Sequence, residues 1–156
     1  QMCIRDSGIC HGPQNRLTQF TKPEQLTMMS LWGIFRSPLM MGGNLPENDD
    51  WTLSLLTNAA YLEMHRNSYG AKELLRKEKK GKGTIIWTAN GKACKYAALF
   101  NTEDKPRKIT LDLTAILMPD TVYTVYDIWE KAVLGDYKKK LTLNVEPHGA
   151  ALLKIE

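Results

Sequence analysis

A short apolar run at residues 39–41 (Leu-Met-Met) stands between two segments of helical periodicity, and it constrains the fold more than any other feature. The run is followed by Gly42 and Gly43, so it predicts a fully buried strand that ends in a loop. A buried strand flanked by helices is typical of a parallel α/β sheet, in which neighbouring strands complete the hydrogen bonding. Residues 8–66 offer no second strand, so we expect them to be the end of a larger α/β domain.

The helices on either side of this run have recognisable start signals. Thr21, Pro23 and Glu24 form a capping box, and the apolar residues that follow predict a helix buried over much of its circumference. Pro38 is expected to stop that helix. Further on, Asn48 or Asp49 is predicted to cap a second helix and Thr57 or Asn58 a third.

Beyond about residue 70 the hydrophobic period changes to two. The runs at residues 84–89 and 95–100 are joined by Asn90-Gly91, which predicts a hairpin. Four later runs alternate or are rich in β-branched residues, at residues 109–113, 122–129, 141–145 and 151–155. With no helix between them, these strands predict an antiparallel sandwich. Residues 72–79 are compatible with a preceding strand or with a helix, because the segment is highly charged.

The composition of the 156-residue chain is that of a folded globular protein, with 43% hydrophobic and 24% charged residues. The longest apolar stretches are far shorter than the ~20 residues that a membrane-spanning helix needs, so no membrane association is expected. The net charge is +4, and much of the excess lies in two basic patches, at residues 72–82 and 138–140. These patches lack interleaved aromatic residues, so we interpret them as solvated sheet edges rather than as a nucleic-acid surface.

The residues alone reveal no reactive constellation. The three cysteines and three histidines have no ligand spacing, so we predict neither a disulfide framework nor a metal site, and no motif indicates a cofactor. Glu47, Asp49 and Asp50 lie at a predicted helix start, where carboxylates serve the cap and the helix dipole. The four tryptophans fall in periodic apolar runs and are expected to pack in the core.

Several longer stretches are nonetheless specific. Residues 16–25 (RLTQFTKPEQ), 28–43 (MMSLWGIFRSPLMMGG) and 49–58 (DDWTLSLLTN) resemble the last part of the catalytic barrel of family 27 glycoside hydrolases, the melibiase or α-galactosidase family. Residues 123–131 (YTVYDIWEK), Leu134-Gly135 and residues 147–149 (PHG) resemble the C-terminal β domain of that family. Residues 1–7 instead resemble the translation of a sequencing adapter and are set aside.

The resemblance implies a fold in two parts. Residues 8–66 would be an α/β remnant, the last helix, strand and helix of a TIM (β/α)8 barrel. Residues 67–71 would be a linker, and residues 72–156 an all-β antiparallel sandwich. The parent would be a retaining glycosidase that removes terminal α-linked galactose, or a related sugar, from oligosaccharides with two aspartates and no cofactor. A secreted or periplasmic bacterial location is also what the family suggests.

In the family both aspartates lie at the ends of earlier barrel strands, so no catalytic residue is assigned here and the chain alone is expected to be inactive. Loops after barrel strands face the active site, which makes Gly43 and Asn44 candidates for the rim of the sugar pocket. Asn44 stands where many relatives have aspartate, and Tyr126 where arginine is frequent.

An alternative is a non-catalytic carbohydrate-binding β sandwich with residues 8–66 as a flank. If the chain is instead a fragment of a barrel, helix faces made for barrel strands should be exposed as an apolar patch on Met28, Leu31, Trp32 and Phe35.

Overall fold

Three helices precede eight strands in the computed structural model, which describes residues 18–40, 46, 48–117 and 121–156. The helices are α1 (Lys22–Ile34), α2 (Asp50–Leu56) and α3 (Ala59–Asn67). The strands are β1 (Tyr69–Lys79), β2 (Lys82–Asn90), β3 (Lys95–Asn101), β4 (Arg107–Asp112), β5 (Tyr123–Asp127), β6 (Ala132–Tyr137), β7 (Lys140–Val145) and β8 (Ala150–Ile155). No helix in the described part of the chain is long and apolar enough to cross a membrane.

The strands form two antiparallel sheets. The larger has six strands in the order β1-β2-β3-β8-β5-β6, and the smaller pairs β4 with β7. The smaller sheet covers one face of the larger and the helices cover the other. This arrangement agrees with the predicted fold class, an α/β remnant followed by an all-β antiparallel sandwich, and the helices are the part of that remnant that the structure describes.

Strand β3 shows why the larger sheet needs both covers. Tyr96, Ala98 and Phe100 pack in the core on the helix side, whereas Ala97 and Leu99 pack against the smaller sheet. All five are buried, because side chains alternate between the two faces of a strand. Each face therefore has its own core, and the helix-side core is completed by residues from α1, α2 and α3, namely Met29, Ile34, Leu55, Tyr61 and Met64.

The predicted helix starts are confirmed in detail. Thr21 caps α1, and the Glu24 carboxylate accepts the Thr21 backbone N–H at 2.7 Å, which completes the capping box. Asp49 caps α2 and Asn58 caps α3, each accepting the backbone N–H three residues further on. Between the alternatives left by the sequence, the structure selects Asp49 over Asn48 and Asn58 over Thr57.

Helix α1 ends at Ile34, earlier than Pro38 requires. The chain leaves the helix through Arg36, a non-glycine residue in the left-handed region with φ of 56°. Its guanidinium donates to the carbonyl oxygens of His65 at 3.2 Å and Arg66 at 3.1 Å, at the end of α3. These bonds satisfy C-terminal carbonyls of α3 and offset the strain of the left-handed backbone.

The prediction of a buried strand at residues 39–41 is wrong for the two residues that the structure describes. Leu39 and Met40 belong to no strand, and Met40 is 71% exposed. Met41 lies outside the described residues. An apolar tripeptide forms a strand only when neighbouring strands satisfy its backbone, and no described strand lies beside it.

The charged segment at residues 72–79 forms a strand rather than a helix. It belongs to β1, an edge strand paired only with β2, and its lysine and arginine side chains are exposed. Exposed charge protects such an edge from pairing with other chains. Residues 67–71, predicted as a linker, comprise the last residue of α3, Ser68 and the first three residues of β1.

The Asn90-Gly91 hairpin is confirmed, but its turn is longer than a two-residue loop. Asn90 pairs with Lys95 as the last rung of the ladder, and the Gly91 N–H donates to the Cys94 carbonyl across a four-residue connection.

Strand β6 was not predicted from the sequence. Gly135 lies in its middle with φ of 125°, opposite an irregularity in β5, and interrupts the alternation of apolar residues.

Gly33 provides a test of the packing between α1 and α3. A Cβ at this position would lie 2.5 Å from Tyr61 Cε2 and 2.8 Å from Met64 Cε, both buried. Alanine favours a helix over glycine by about 1 kcal/mol, but overpacking costs about 1–3 kcal/mol. We expect Gly33→Ala to lower the free energy of unfolding, measured by urea denaturation. Arg66→Ala, at an exposed site on α3, is the control and should change the free energy of unfolding little. A Gly33→Ala variant that is more stable than the parent would contradict the tight packing between α1 and α3.

Candidate functional site

The predicted pocket-rim residues Gly43 and Asn44 lie outside the described residues, so their role stays a prediction. Within the described part, polar and aromatic groups from distant parts of the sequence meet at two places. One is the junction between the helices and the turn after β5, and the other is a groove along α1. The junction was missed in the sequence, because it joins residues that no local pattern connects. Of the groove, the sequence predicted the apolar patch on α1 but not the polar residues at its end.

The junction centres on Trp129, in the turn at residues 127–130. Its indole Nε1–H donates to Ser30 Oγ on α1 at 2.8 Å, and its ring stacks on Tyr61 of α3 with centroids 5.1 Å apart. The Tyr61 hydroxyl in turn donates to the Met29 carbonyl at 3.1 Å. Ser30 and Tyr61 are fully buried, so one indole ring connects two helices to the sheet through satisfied polar groups.

Asn58 supplies a second connection at the junction. Its side-chain oxygen caps α3, while its Nδ2 donates to the Ile128 carbonyl at 2.7 Å. The Ile128 N–H donates to the Leu152 carbonyl on β8 at 2.8 Å. Asn58 is buried, so both ends of its amide are used where water does not compete. Asn58 thus fixes the start of α3 relative to the sheet.

Asp127 shapes the turn that carries Trp129. Its Oδ1 accepts the backbone N–H groups of Trp129 at 2.9 Å and Glu130 at 3.1 Å. Burial nevertheless raises the pKa of the Asp127 carboxyl above its ordinary value, because it outweighs the two donors that favour the charged form. The role of this carboxylate is therefore to hold the turn.

The α1 groove has a volume of about 690 Å³ and runs along the side of α1 away from α3. Leu31 and Phe35 are 40% and 48% exposed there, and Met28 and Trp32 are half-buried. The predicted apolar patch is therefore present, although two of its four residues are partly covered. The complete lining is Phe20, Glu24, Thr27, Met28, Leu31, Trp32, Phe35, Ser37, Asn101, Thr102 and His148.

An ion-pair cluster lies at one end of the groove. His148 Nε2 is 3.0 Å from Asp104 Oδ1, and Lys82 pairs with the other carboxylate oxygen. Lys82, more than His148, holds the pKa of Asp104 below its usual value. Thr27 on α1 donates to the His148 carbonyl at 2.7 Å. The ion-paired side chains are about half exposed, so the cluster ties loops to α1 without providing a desolvated reactive group.

Most other described carboxylates also have structural partners. Glu103 pairs with Arg107, Arg76 bridges Glu73 and Glu78, and Lys154 bridges Glu63 and Glu156. Across residues 18–40, 46, 48–117 and 121–156, no group of three His, Cys, Asp or Glu side chains is placed to hold a metal ion.

The four tryptophans pack against the helix-side core, as predicted.

The comparisons with known proteins agree with this architecture. The family model described as the alpha galactosidase C-terminal beta sandwich domain matches residues 81–155. Alpha-galactosidase D of Emericella nidulans is 30% identical over 138 residues, which cover 86% of this chain and 20% of that protein. The chain thus spans about a fifth of the curated relative's length.

Two solved structures are more similar. A family 27 β-L-arabinopyranosidase from Geobacillus stearothermophilus is 40% identical with a TM-score of 0.84, over 94% of this chain and 33% of that one. A structure described as a putative alpha-N-acetylgalactosaminidase from Bacillus halodurans is 35% identical with a TM-score of 0.84, over 92% and 34%.

The β sandwich thus belongs to the family of alpha galactosidase C-terminal beta sandwich domains. Taken with its helices, the chain belongs to glycoside hydrolase family 27 as the C-terminal part of an α-galactosidase-like protein. The family resemblance predicted from the sequence is confirmed.

The hydrogen bond between Trp129 and Ser30 can be tested by a double-mutant cycle. Trp129→Phe keeps an aromatic ring against Tyr61 but removes the donor, and Ser30→Ala removes the acceptor. Each single variant should lose about 1–2 kcal/mol of unfolding free energy, because the remaining partner, the fully buried Ser30 hydroxyl or the half-buried Trp129 indole, loses its hydrogen bond. The double variant should lose less than the sum. Strict additivity in urea denaturation would show that the two side chains are not coupled.

The raised pKa of Asp127 predicts a pH dependence. A carboxyl whose folded pKa lies above its unfolded value stabilises the fold at low pH and loses that contribution as pH rises through the folded pKa. Asp127→Asn keeps the acceptor without the charge, so at neutral pH it should be at least as stable as the parent. Asp104→Asn is the matched control. It should lower the free energy of unfolding at neutral pH, because the folded pKa of Asp104 is lowered. Thermal melting of the parent and the two variants from pH 3 to 8 measures both effects on stability. An Asp127→Asn variant that is less stable than the parent at pH 7 would contradict the raised pKa of Asp127.

Proposed function

We propose that the chain is the C-terminal part of a retaining glycosidase that removes a terminal α-linked galactose, or a closely related sugar, from oligosaccharides. The observation that carries this proposal is the continuous similarity to the family 27 β-L-arabinopyranosidase, 40% identical over 94% of the chain. The similarity extends over both helices and sandwich, so it includes the junction at Trp129 as well as the matched β domain.

The names of the similar proteins favour a galactose-like sugar. They include an α-galactosidase, a β-L-arabinopyranosidase and a protein described as a putative α-N-acetylgalactosaminidase. β-L-Arabinopyranose has the ring configuration of α-D-galactopyranose without the hydroxymethyl group, and N-acetylgalactosamine differs from galactose only at the substituent next to the anomeric carbon. A sugar with the galactose ring configuration is the feature that these names share.

Within such an enzyme the chain would support the site rather than perform the chemistry. Retaining glycosidases need two carboxyl groups about 5–5.5 Å apart, one as nucleophile and one as acid and base. Most of the described carboxylates instead cap helices, hold turns or form ion pairs. The catalytic pair would then come from polypeptide outside this chain, and Gly43 and Asn44 remain the proposed contribution to the pocket rim.

The proposal is tested by comparing the 156-residue chain with the longer protein that contains it, on p-nitrophenyl α-D-galactopyranoside, β-L-arabinopyranoside and α-N-acetylgalactosaminide. We expect no turnover by the chain alone and hydrolysis of at least one substrate by the longer protein. Proton NMR should show the product with its anomeric configuration retained.

Turnover by the chain alone would overturn the proposed division of roles, and an inactive longer protein would overturn the enzymatic proposal. Calorimetric titration of the chain with galactose tests the alternative, a non-catalytic carbohydrate-binding β sandwich. Saturable binding together with an inactive longer protein would favour a carbohydrate-binding module.

A further inference from the structure

We propose that a small pocket at the start of β1 binds a compact oxyanion, either a free phosphate or sulfate ion or the carboxylate of an acidic sugar. This bulge pocket is lined by polar side chains of β1, β2 and β3, and it shares no lining residue with the α1 groove. Its residues that matter here are Gly70, Lys72, Thr88, Asn90 and Lys95. Binding there is independent of glycosidase activity, so this proposal and the proposed function can fail separately.

A β bulge opens the pocket at the edge of the larger sheet. The two residues of β1 between Tyr69 and Lys72 lie opposite a single residue of β2. The first of the two is Gly70, with φ of 62°, and a Cβ on it would lie only 2.9 Å from Asn90 Nδ2. Glycine therefore permits both the left-handed backbone of the bulge and the close approach to the Asn90 amide.

The polar side chains of the bulge pocket come from three neighbouring strands and share one face of the sheet. Lys72 on β1 lies opposite Thr88 on β2, and Asn90 on β2 lies opposite Lys95 on β3. Residues that are paired across strands, or two apart along a strand, project on the same side. That side is the one where Ile86 packs against the smaller sheet. The two lysines thus flank Thr88 and Asn90 from either side.

The positive charge of the bulge pocket has no counter-charge among its neighbours. Among the described residues that line it, the ionisable ones are Lys72 and Lys95, and neither forms an ion pair within the described part of the chain. The half-buried Lys95 ammonium donates to a neutral oxygen, Asn90 Oδ1. Partial burial of a charge without a counter-ion costs free energy, so an anion placed between the two lysines is favoured.

Two neutral groups complete the set of donors. Thr88 is only 4% exposed, yet its hydroxyl makes no hydrogen bond with any residue that the structure describes. Buried hydroxyl groups usually have a partner, which leaves this one for a ligand. Asn90 uses its oxygen for Lys95, so its Nδ2 remains as a further donor. Ammonium, hydroxyl and amide donors around one point match the several oxygens of an oxyanion.

The size of the bulge pocket limits the ligand to a small group. Its volume is about 130 Å³. Since one water occupies roughly 30 Å³ of the liquid, the pocket has room for about four waters. Sites that enclose a whole organic ligand have volumes of about 300–1,000 Å³. The pocket therefore suits a phosphate, sulfate or carboxylate group, with the rest of any sugar outside it.

Calorimetric titration of the 156-residue chain with sodium phosphate, sodium sulfate and sodium D-galacturonate, at constant ionic strength, tests the proposal. D-Galactose is the uncharged control for galacturonate. We expect saturable binding of an oxyanion with Kd of about 1–10 mM and none of galactose. Lys72→Gln and Lys95→Gln should each weaken binding about tenfold, because each removes a charged donor. Lys79→Gln, at an exposed site near the far end of the same strand, is the matched control and should change the Kd less than about twofold.

The three ligands distinguish the two sources of the oxyanion. Binding of phosphate or sulfate without galacturonate would support the proposal with a free ion as ligand, and tighter binding of galacturonate would support it with an acidic sugar. Absence of saturable binding of all three up to about 50 mM would overturn the proposal. An equal loss of binding in the Lys79→Gln variant would also overturn it, because the attraction would then be diffuse.

A second measurement needs no variant. In proton–nitrogen NMR spectra of the chain, titration with sodium sulfate should shift the backbone amide signals of Gly70 and Asn90 and leave that of Val133, on the opposite edge strand β6, unchanged. Shifts that are no larger at Gly70 and Asn90 than at the exposed Lys79 would show that sulfate does not enter the bulge pocket, and would overturn the proposal.

Discussion

The structure depends on burying both faces of the central strands β3 and β8. Successive residues of β8 face opposite cores: Leu152 packs towards the helices and Leu153 towards the smaller sheet, and both are fully buried. A fully buried Leu contributes about 1.5–3 kcal/mol relative to an exposed one, so neither face is dispensable. The near-continuous apolar run of β3, a pattern more usual in parallel sheets, arises here because a sandwich carries a third layer of helices.

This constraint explains which features the sequence could predict. The capping residues Thr21, Asp49 and Asn58 act within three residues of their partners, so their patterns are complete in the local sequence. The Asn90-Gly91 hairpin is local in the same sense. Such signals fix where elements begin and end, and with the family resemblance they defined the fold class.

Features that depend on distant partners were missed or mispredicted. The apolar run at residues 39–41 fits a strand, but a strand requires pairing that the described chain does not give Leu39 and Met40. The bond from Trp129 to Ser30 joins residues 99 positions apart, and the polar end of the α1 groove joins α1 to His148. The candidate rim residues came from the resemblance alone, because no local pattern marks them.

The buried polar contacts give the helix-sheet junction a defined geometry that apolar packing alone does not impose. An apolar helix face tolerates small shifts along a sheet, whereas the Trp129 and Asn58 bonds are satisfied at one position only. A single residue, the buried Ser68, separates α3 from β1, so the connection allows little independent movement. Helices and sandwich share one core across this point and should open as one cooperative unit.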